Sequence, residues 1–327
     1  MSTVDVVIVN WNSGEHLRRC LESVVSSCQN AFEFGRVVVV DNASTDSSME
    51  GLSFPGIPLT TIQNSNNRGF ATACNQGADG SQSDYLLFLN PDVRLEPESL
   101  GKPILFLEEP ANSKFAICSI QLVDSERRIN RTCAKFPTPK SLISQMLGLD
   151  RIFPRWVPGH FLPYSEHLQS REVDQVIGAF LVVRRKVFES LSGFDTRFFV
   201  YFEDMDLSHR AFSSGWHSYY LTGSRAHHKG GGCSEQVRAL RLYYSLRSRI
   251  LYSFKHFGST SAIAVLLCTL FIEPLSRLAL AIAHNSLKEI EVTIQGYVML
   301  WGSLKSLSKD SSASLPGNGP NRVESVA

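Results

Sequence analysis

The sequence contains no Cys-x-x-Cys pair, no Gly-x-Gly-x-x-Gly turn and no run of twenty apolar residues. The first absence excludes the common zinc and dithiol motifs. Seven scattered cysteines (Cys20, Cys28, Cys74, Cys118, Cys133, Cys233, Cys268) read instead as small buried hydrophobes in a reducing compartment. The second disfavours a dinucleotide site and with it nicotinamide chemistry. The third argues against a simple membrane span, which needs about 20 predominantly apolar residues. A surplus of one charge is missing too: 32 Lys and Arg stand against 31 Asp and Glu, so no overall footprint for nucleic acid exists. Residues 1–5 carry neither a basic n-region nor a cleavage-site pattern, and a cytoplasmic catalytic part is expected.

What is present fits a globular α/β protein. The 327 residues are 43% apolar and 19% charged, enough for one large domain with additions, or two domains. Residues 4–10 (VDVVIVN) form a short apolar run, followed by a polar turn and by Leu17, Leu21, Val24 and Val25 at helical spacing: strand, loop, helix. Residues 36–41 (RVVVVD) are too continuously β-branched for a one-sided strand and suit a central parallel one. Residues 59–63, 85–90 (YLLFLN) and 115–123 read as further strands, separated by stretches long enough for crossover helices. Such alternation predicts an open sheet with ligands at the carboxyl ends of its strands. Residues 124–171, with prolines 137, 139, 154, 158 and 163, read as an irregular insertion over a binding cleft. Residues 1–235 are expected to form the catalytic domain, 236–305 a basic and apolar helical region, and 306–327 a disordered tail.

Polar residues gather at three of the first four strand ends. Asn10 and Asn12 follow the first, Asp41, Asn42, Ser44 and Asp46 the second, and Asn90 and Asp92 the fourth. Asn and Asp are ordinary turn formers and caps. Three such clusters on one sheet edge nevertheless converge on one crevice, with donors and acceptors suited to a base and a ribose. Arg68 could serve a phosphate, and Gly69 permits close backbone approach. A carboxylate just past a buried strand, Asp92, can hold a divalent cation against a diphosphate. Glu203, Asp204 and Asp206 lie in an aromatic stretch, where apolar surroundings raise a carboxylate towards general-base duty. His227, His228 and Lys229 precede a Gly-Gly-Gly run that reads as a flexible loop.

Taken together, VIVNWNS, VVVVDNASTDSS, NRGFATACNQG, YLLFLNPDV, GAFLVVRRKVFESLSGFDTRFFVYFEDMDLSHR and HHKGGG resemble the successive motifs of family 2 glycosyltransferases with the GT-A (Rossmann-like) fold, in their bacterial rhamnosyltransferase-like branch. The resemblance covers about residues 4–258 and implies an open mixed, mostly parallel sheet and inverting transfer from a nucleotide-diphospho-sugar. It implies that Val9, Asn10, Asn12, Asp41, Asn42, Ser44, Arg68, Gly69, Asn75, Asn90, Pro91 and Asp92 line the donor pocket. Asp92 and His228 would serve a Mg²⁺ or Mn²⁺ ion. Asp204 would be the base, with Glu203 and Asp206 orienting or structural. The family's DxD-type position reads Asn90-Pro91-Asp92, with one carboxylate. The branch matches transfer of L-rhamnose from dTDP-rhamnose to a polyprenyl-diphosphate-linked saccharide in O-antigen or other cell-surface polysaccharide assembly. A UDP-hexose transferase and a catalytically silent nucleotide-sugar-binding scaffold are the alternatives. A nucleotidyltransferase would want a Gly-rich, Lys-bearing loop near the first strand, which VNWNSGEH does not offer.

Residues 262–272 are charge-free and largely apolar, but Glu273, Pro274, Ser276 and Arg277 interrupt the run. In-plane or re-entrant membrane attachment is expected, peripheral at the inner face of the plasma membrane. The preceding stretch 237–257, with Arg238, Arg241, Arg247, Arg249 and Lys255 and no acid, would favour anionic headgroups. A buried helical hairpin or a homodimer interface stays open for the same segment.

Overall fold

The computed structural model describes residues 1–27, 30–153, 159–230 and 237–305. Cys28, Cys233, prolines 154 and 158, the last glycines of HHKGGG and the 306–327 tail lie outside them. In chain order the elements are β1 (Ser2–Asn10), α1 (Glu15–Val25), β2 (Phe32–Asp41), β3 (Leu59–Gln63), α2 (Phe70–Ala78), β4 (Tyr85–Leu89), β5 (Val93–Leu95) and α3 (Gly101–Glu108). Then come β6 (Phe115–Val123), β7 (Cys133–Ala134), α4 (Pro139–Met146), α5 (Leu149–Ile152), β8 (Arg171–Val173), β9 (Gln175–Val176), β10 (Phe180–Arg184), α6 (Arg185–Ser190), α7 (Glu203–Ser213) and β11 (His217–His228). Four helices follow: α8 (Arg238–His256), α9 (Ser259–Leu267), α10 (Glu273–Ala283) and α11 (Leu287–Gly302).

The main sheet runs β3-β2-β1-β4-β10-β6-β11-β5, with β8 beside β11. The pairs β2–β3, β1–β2 and β1–β4 are parallel, β10 is antiparallel to both β4 and β6, and β11 is parallel to β6. The carboxyl ends of β1, β2, β4, β6 and β11 therefore share one edge, and β10 starts there. Strand β1 shows why the sheet is central. Val6 and Ile8 pack with Leu17, Leu21 and Ile104 on one face, while Val7 and Val9 pack with Ala71, Cys74 and Leu207 on the other. Successive side chains alternate faces, so a strand covered on both sides is apolar throughout.

Two segments differ from the sequence expectation. Within 124–171, Thr138 and Ser141 form a capping box for α4, whose Leu142 and Met146 pack on Val265, and β7 pairs with β9. The prolines obscured this because Pro139 occupies the first helical turn, where its missing N–H costs nothing. Glu273 and Arg277 do not break the apolar helix either. It continues over Ser259–Ala283, through a π-helical turn at 268–272, with a mean hydropathy of 1.9 over its most apolar eighteen-residue window. Arg249 and Arg277 both pair with the buried Glu273 carboxylate and neutralise it.

Several cations of the basic stretch are partnered within the fold. In α8, Arg238 pairs with Glu289 at 2.5 Å and Lys255 with Asp195 at 2.7 Å, while Arg247 donates to the Arg197 carbonyl at 2.8 Å. These contacts give partners to cations that the sequence presents as free, although the Arg238–Glu289 pair stays exposed. The tightest of them fixes α8 to α7: fully buried Asp206 meets Arg210 (2.8 Å), Lys255 (2.6 Å) and His256 (2.8 Å). Burial opposes its ionisation, but the His256 hydrogen bond and the Arg210 and Lys255 charges hold it well below the usual carboxylate range. Removing one member of a buried ion cluster strands the others. Asp206→Asn should thus lower the unfolding free energy by about 3 kcal/mol in urea denaturation; a loss below about 0.5 kcal/mol, typical of a surface pair, would contradict this role.

Candidate functional site

At the carboxyl edge, Asn10 organises the first two strand ends. Its Nδ2 donates to Asp41 Oδ1 (2.8 Å), Ser44 Oγ (3.0 Å) and Ser48 Oγ (2.8 Å), and its Oδ1 accepts from the Ser13 hydroxyl. Asn12 crosses to the same loop, taking the Thr45 N–H on Oδ1 at 2.7 Å and giving its own N–H to Ser44 Oγ at 2.9 Å. Asn42 Nδ2 reaches the Gly69 carbonyl at 3.1 Å. The loops after β1, β2 and β3 are thus tied into one wall. Arg68 on that wall is exposed and has no hydrogen-bond or ionic partner among the described residues. Val9 directs its side chain into the apolar layer beneath α2.

Gly69 stands at φ +85°, and a β-carbon there would come within 2.5 Å of the Phe199 carbonyl. That carbonyl accepts the Phe70 N–H at 2.6 Å. Only glycine allows this approach, which brings the segment leading to α7 against the start of α2. The helix itself is launched by Tyr201 (φ 68°) and Phe202 (φ 70°), two bulky residues in the left-handed region. Strain of this kind persists only where the surroundings enforce it.

The three acids after this turn have three different environments. Half-buried Asp204 takes the Gly178 N–H on Oδ2 and the Met205 N–H on Oδ1, each at 2.7 Å. Burial raises its carboxyl above the ordinary value against the pull of those two bonds. Glu203 is buried, and its Oε2 has no hydrogen-bond partner. Burial, and then the charges of Asp204 and Asp206, push it well above the usual range. Asp206 faces α8 in the ion cluster, so the expected upward shift does not occur there.

Across the crevice, Asp92 follows β4 and His228 ends β11, with Oδ1 and Nε2 3.4 Å apart and side chains only 7% and 11% exposed. His228 pairs with Val93 in a ladder and so belongs to a strand, not to the flexible loop expected. Burial works against ionisation of Asp92, but the His228 hydrogen bond and charge, with a smaller contribution from His16, keep its carboxyl below the ordinary value. No third His, Cys, Asp or Glu joins the pair among the described residues. A carboxylate and an imidazole facing one small space fit a divalent cation that completes its shell with phosphate oxygens and water. Asn90 donates its N–H to Ala179 (2.9 Å), and Pro91 is buried beside it. Asn75 lies elsewhere: both ends of its amide bond the main chain of Phe194 (2.8 and 2.9 Å), fastening α2 to the segment before α7. Gly178 and Phe199 were missed by sequence reasoning because they act through backbone groups. Ser13 and Ser48 close the VIVNWNS and VVVVDNASTDSS motifs but were not singled out among their residues.

An open mixed sheet with a polar crevice at the carboxyl ends of its strands is an α/β ligand-binding architecture, and the comparisons specify it. Residues 5–192, more than half of the chain, match the model of glycosyl transferase family 2, and the chain belongs to that family. A Mycobacterium tuberculosis N-acetylglucosaminyl-diphospho-decaprenol L-rhamnosyltransferase is 29% identical over 255 residues, 68% of this chain and 75% of that protein. The Escherichia coli rhamnosyltransferase WbbL is 24% identical over 234 residues, 69% and 83% of the two chains. The fold is GT-A, with mannosyltransferase PcManGT of Pyrobaculum calidifontis, solved with GDP-Man and Mn²⁺, as one neighbour (TM-score 0.52, 15% identity, 94% of this chain and 85% of that one). Staphylococcus aureus TarS 1-349 with UDP-GlcNAc is another (TM-score 0.53, 17% identity, 94% and 81%).

The Glu203 environment has a measurable consequence. A carboxyl with a raised folded-state pKa holds its proton in the fold after the unfolded chain has released it, so stability falls as pH rises above the ordinary Glu value of about 4.3. Glu203→Gln removes that penalty, and its stability gain over wild type should be larger at pH 8 than at pH 5 in urea unfolding. An equal loss at both pH values would mean that the ionised carboxylate is needed.

Proposed function

We propose that the chain is an inverting glycosyltransferase that moves L-rhamnose from dTDP-rhamnose to a polyprenyl-diphosphate-linked saccharide, at the cytoplasmic face of the membrane, in cell-surface polysaccharide assembly. The observation that carries the chemistry is Asp204: a half-buried carboxylate with a raised pKa, held by two N–H donors at a helix start. The name of the mycobacterial relative supports L-rhamnose as the sugar and a diphospho-polyprenol-linked acceptor, and that of WbbL supports the sugar. A UDP-hexose donor is the second reading, favoured by the hexosyltransferase Agl10 of Haloferax volcanii, 26% identical over 216 residues.

In this reading the Asn10–Asp41–Ser44 network and Asn12 hold the nucleoside, and Arg68 stands free to meet the diphosphate. Asp92 and His228 are the residues that would hold a Mg²⁺ or Mn²⁺ ion, whose chemistry there is to neutralise charge on the diphosphate. Asp204 takes the proton of the acceptor hydroxyl as its oxygen bonds to the sugar's anomeric carbon. The bond from that carbon to the diphosphate oxygen breaks, and the nucleoside diphosphate leaves with the electron pair. One displacement inverts the centre. Helix Ser259–Ala283, with Ile263, Leu267, Phe271 and Leu275 exposed at four-residue intervals, would rest in the membrane surface near a lipid-linked substrate.

Asp204→Asn should lower the transfer rate by about a thousandfold, as loss of a general base does, while donor affinity changes less than about twofold by calorimetry. Loss of donor binding would remove Asp204 from the base role. Asp92→Ala should abolish the difference in donor affinity between Mg²⁺ and EDTA; a retained difference would place the cation elsewhere.

A further inference from the structure

Between α8, α10 and α11 lies an open cleft of about 250 Å³ whose wall includes Arg238, Arg241, Leu242, Arg277, Glu289 and Thr293. Its charges do not cancel. Arg238 is matched by Glu289, and Arg277 shares Glu273 with Arg249 behind the wall. Arg241 has no carboxylate partner among the described residues and donates instead to the Tyr201 hydroxyl at 3.2 Å. Four arginines against two glutamates leave a double positive surplus, which matches a dianionic ligand. Guanidinium groups suit phosphate oxygens in charge and in planar fork geometry.

The position of the cleft is as informative as its charge. Tyr201 begins the left-handed turn that delivers Asp204, so Arg241 links the cleft wall to the base-bearing segment. The two helices that complete the wall also expose large apolar side chains: Ile282 and Leu280 on α10, then Leu287, Ile294 and Val298 on or at α11. A cation-lined cleft therefore belongs to the same helical unit as the candidate membrane segment, with Leu280 one turn from Arg277 at its rim, while the exposed stripe Leu287, Ile294 and Val298 runs along the face of α11 turned away from Glu289 and Thr293.

We infer that this cleft binds the diphosphate of the lipid-linked acceptor, with its isoprenoid chain leaving past Leu280 of α10. The inference rests on the acceptor class proposed above. It adds a second phosphate site, separate from the donor pocket at Arg68, Asp92 and His228, and gives Arg241 the task of aligning the acceptor with Asp204.

Calorimetric titration of the full chain with farnesyl diphosphate in EDTA tests it without turnover. Wild type should bind farnesyl diphosphate more tightly than farnesol or inorganic diphosphate, and excess dTDP should not displace it. Arg241→Gln should weaken binding about tenfold, the size of one lost charge-assisted contact, and Arg241→Lys should restore most of it. Val292→Glu, which adds a negative charge at a half-buried position of the cleft wall without touching the Tyr201 contact, should weaken binding as much. Displacement by dTDP, or unchanged affinity in Arg241→Gln and Val292→Glu, would overturn the assignment. So would a variant that loses only its sedimentation with phosphatidylglycerol vesicles, since the cleft would then serve bulk headgroups. A chain that binds farnesyl diphosphate through Arg241 but transfers no sugar would support the cleft and count against the transferase reading.

Discussion

A strand buried on both faces carries polar side chains at least cost at its ends, because each one within it must find a partner. In strands β1, β2 and β4, residues 6–9, 37–40 and 86–89 are buried and apolar, the buried Asp5 before the first run is satisfied by Arg36 and Ser83, and the first polar groups after the runs are Asn10, Asp41 and Asn90. Parallel pairing then brings those ends to one edge. The same rule that gives the sheet its core thus concentrates hydrogen-bonding capacity in one crevice, where buried polar atoms must find one another or a ligand. Asn10, with three acceptors on one amide nitrogen, shows how far that satisfaction goes before any substrate arrives.

The opposite wall is built by a different means. Asp204 is placed by backbone constraints: a glycine that lets Phe199 approach, two residues in left-handed conformations, and a Gly178 N–H. Behind it, the buried Asp206 cluster locks α7 to α8. Adjacent acids in one short motif thereby receive opposite electrostatic treatment. Two are denied counter-ions and shift upward, and the third is surrounded by cations and shifts downward. A residue poised to accept a proton needs the first environment, and a helix anchor needs the second.

Periodicity and strand-end composition made the sheet, the crevice and most of its residues legible in the sequence. β-branched runs report two-sided burial directly, and residues 115–123 were delimited as observed. The roles of Gly178, Phe199 and Asn75 were not legible, because backbone groups carry no residue code and the Asn75 amide finds its partner 119 residues away. The pairing of the α8 cations was hidden for the same reason. Arg249 and Arg238 meet their acids 24 and 51 residues later, so an acid-free stretch looked like a free basic surface. Helical continuity at Glu273 depended on those pairings and was lost from view with them.

The central claim is that Asp204 serves a single displacement at the anomeric carbon. The measurement that tests it most directly is the anomeric configuration of the transferred sugar, read by NMR on product made with purified protein and dTDP-rhamnose. A linkage of configuration opposite to the donor's is the predicted result. A retained configuration would require a second displacement or a covalent sugar intermediate, and would contradict the account.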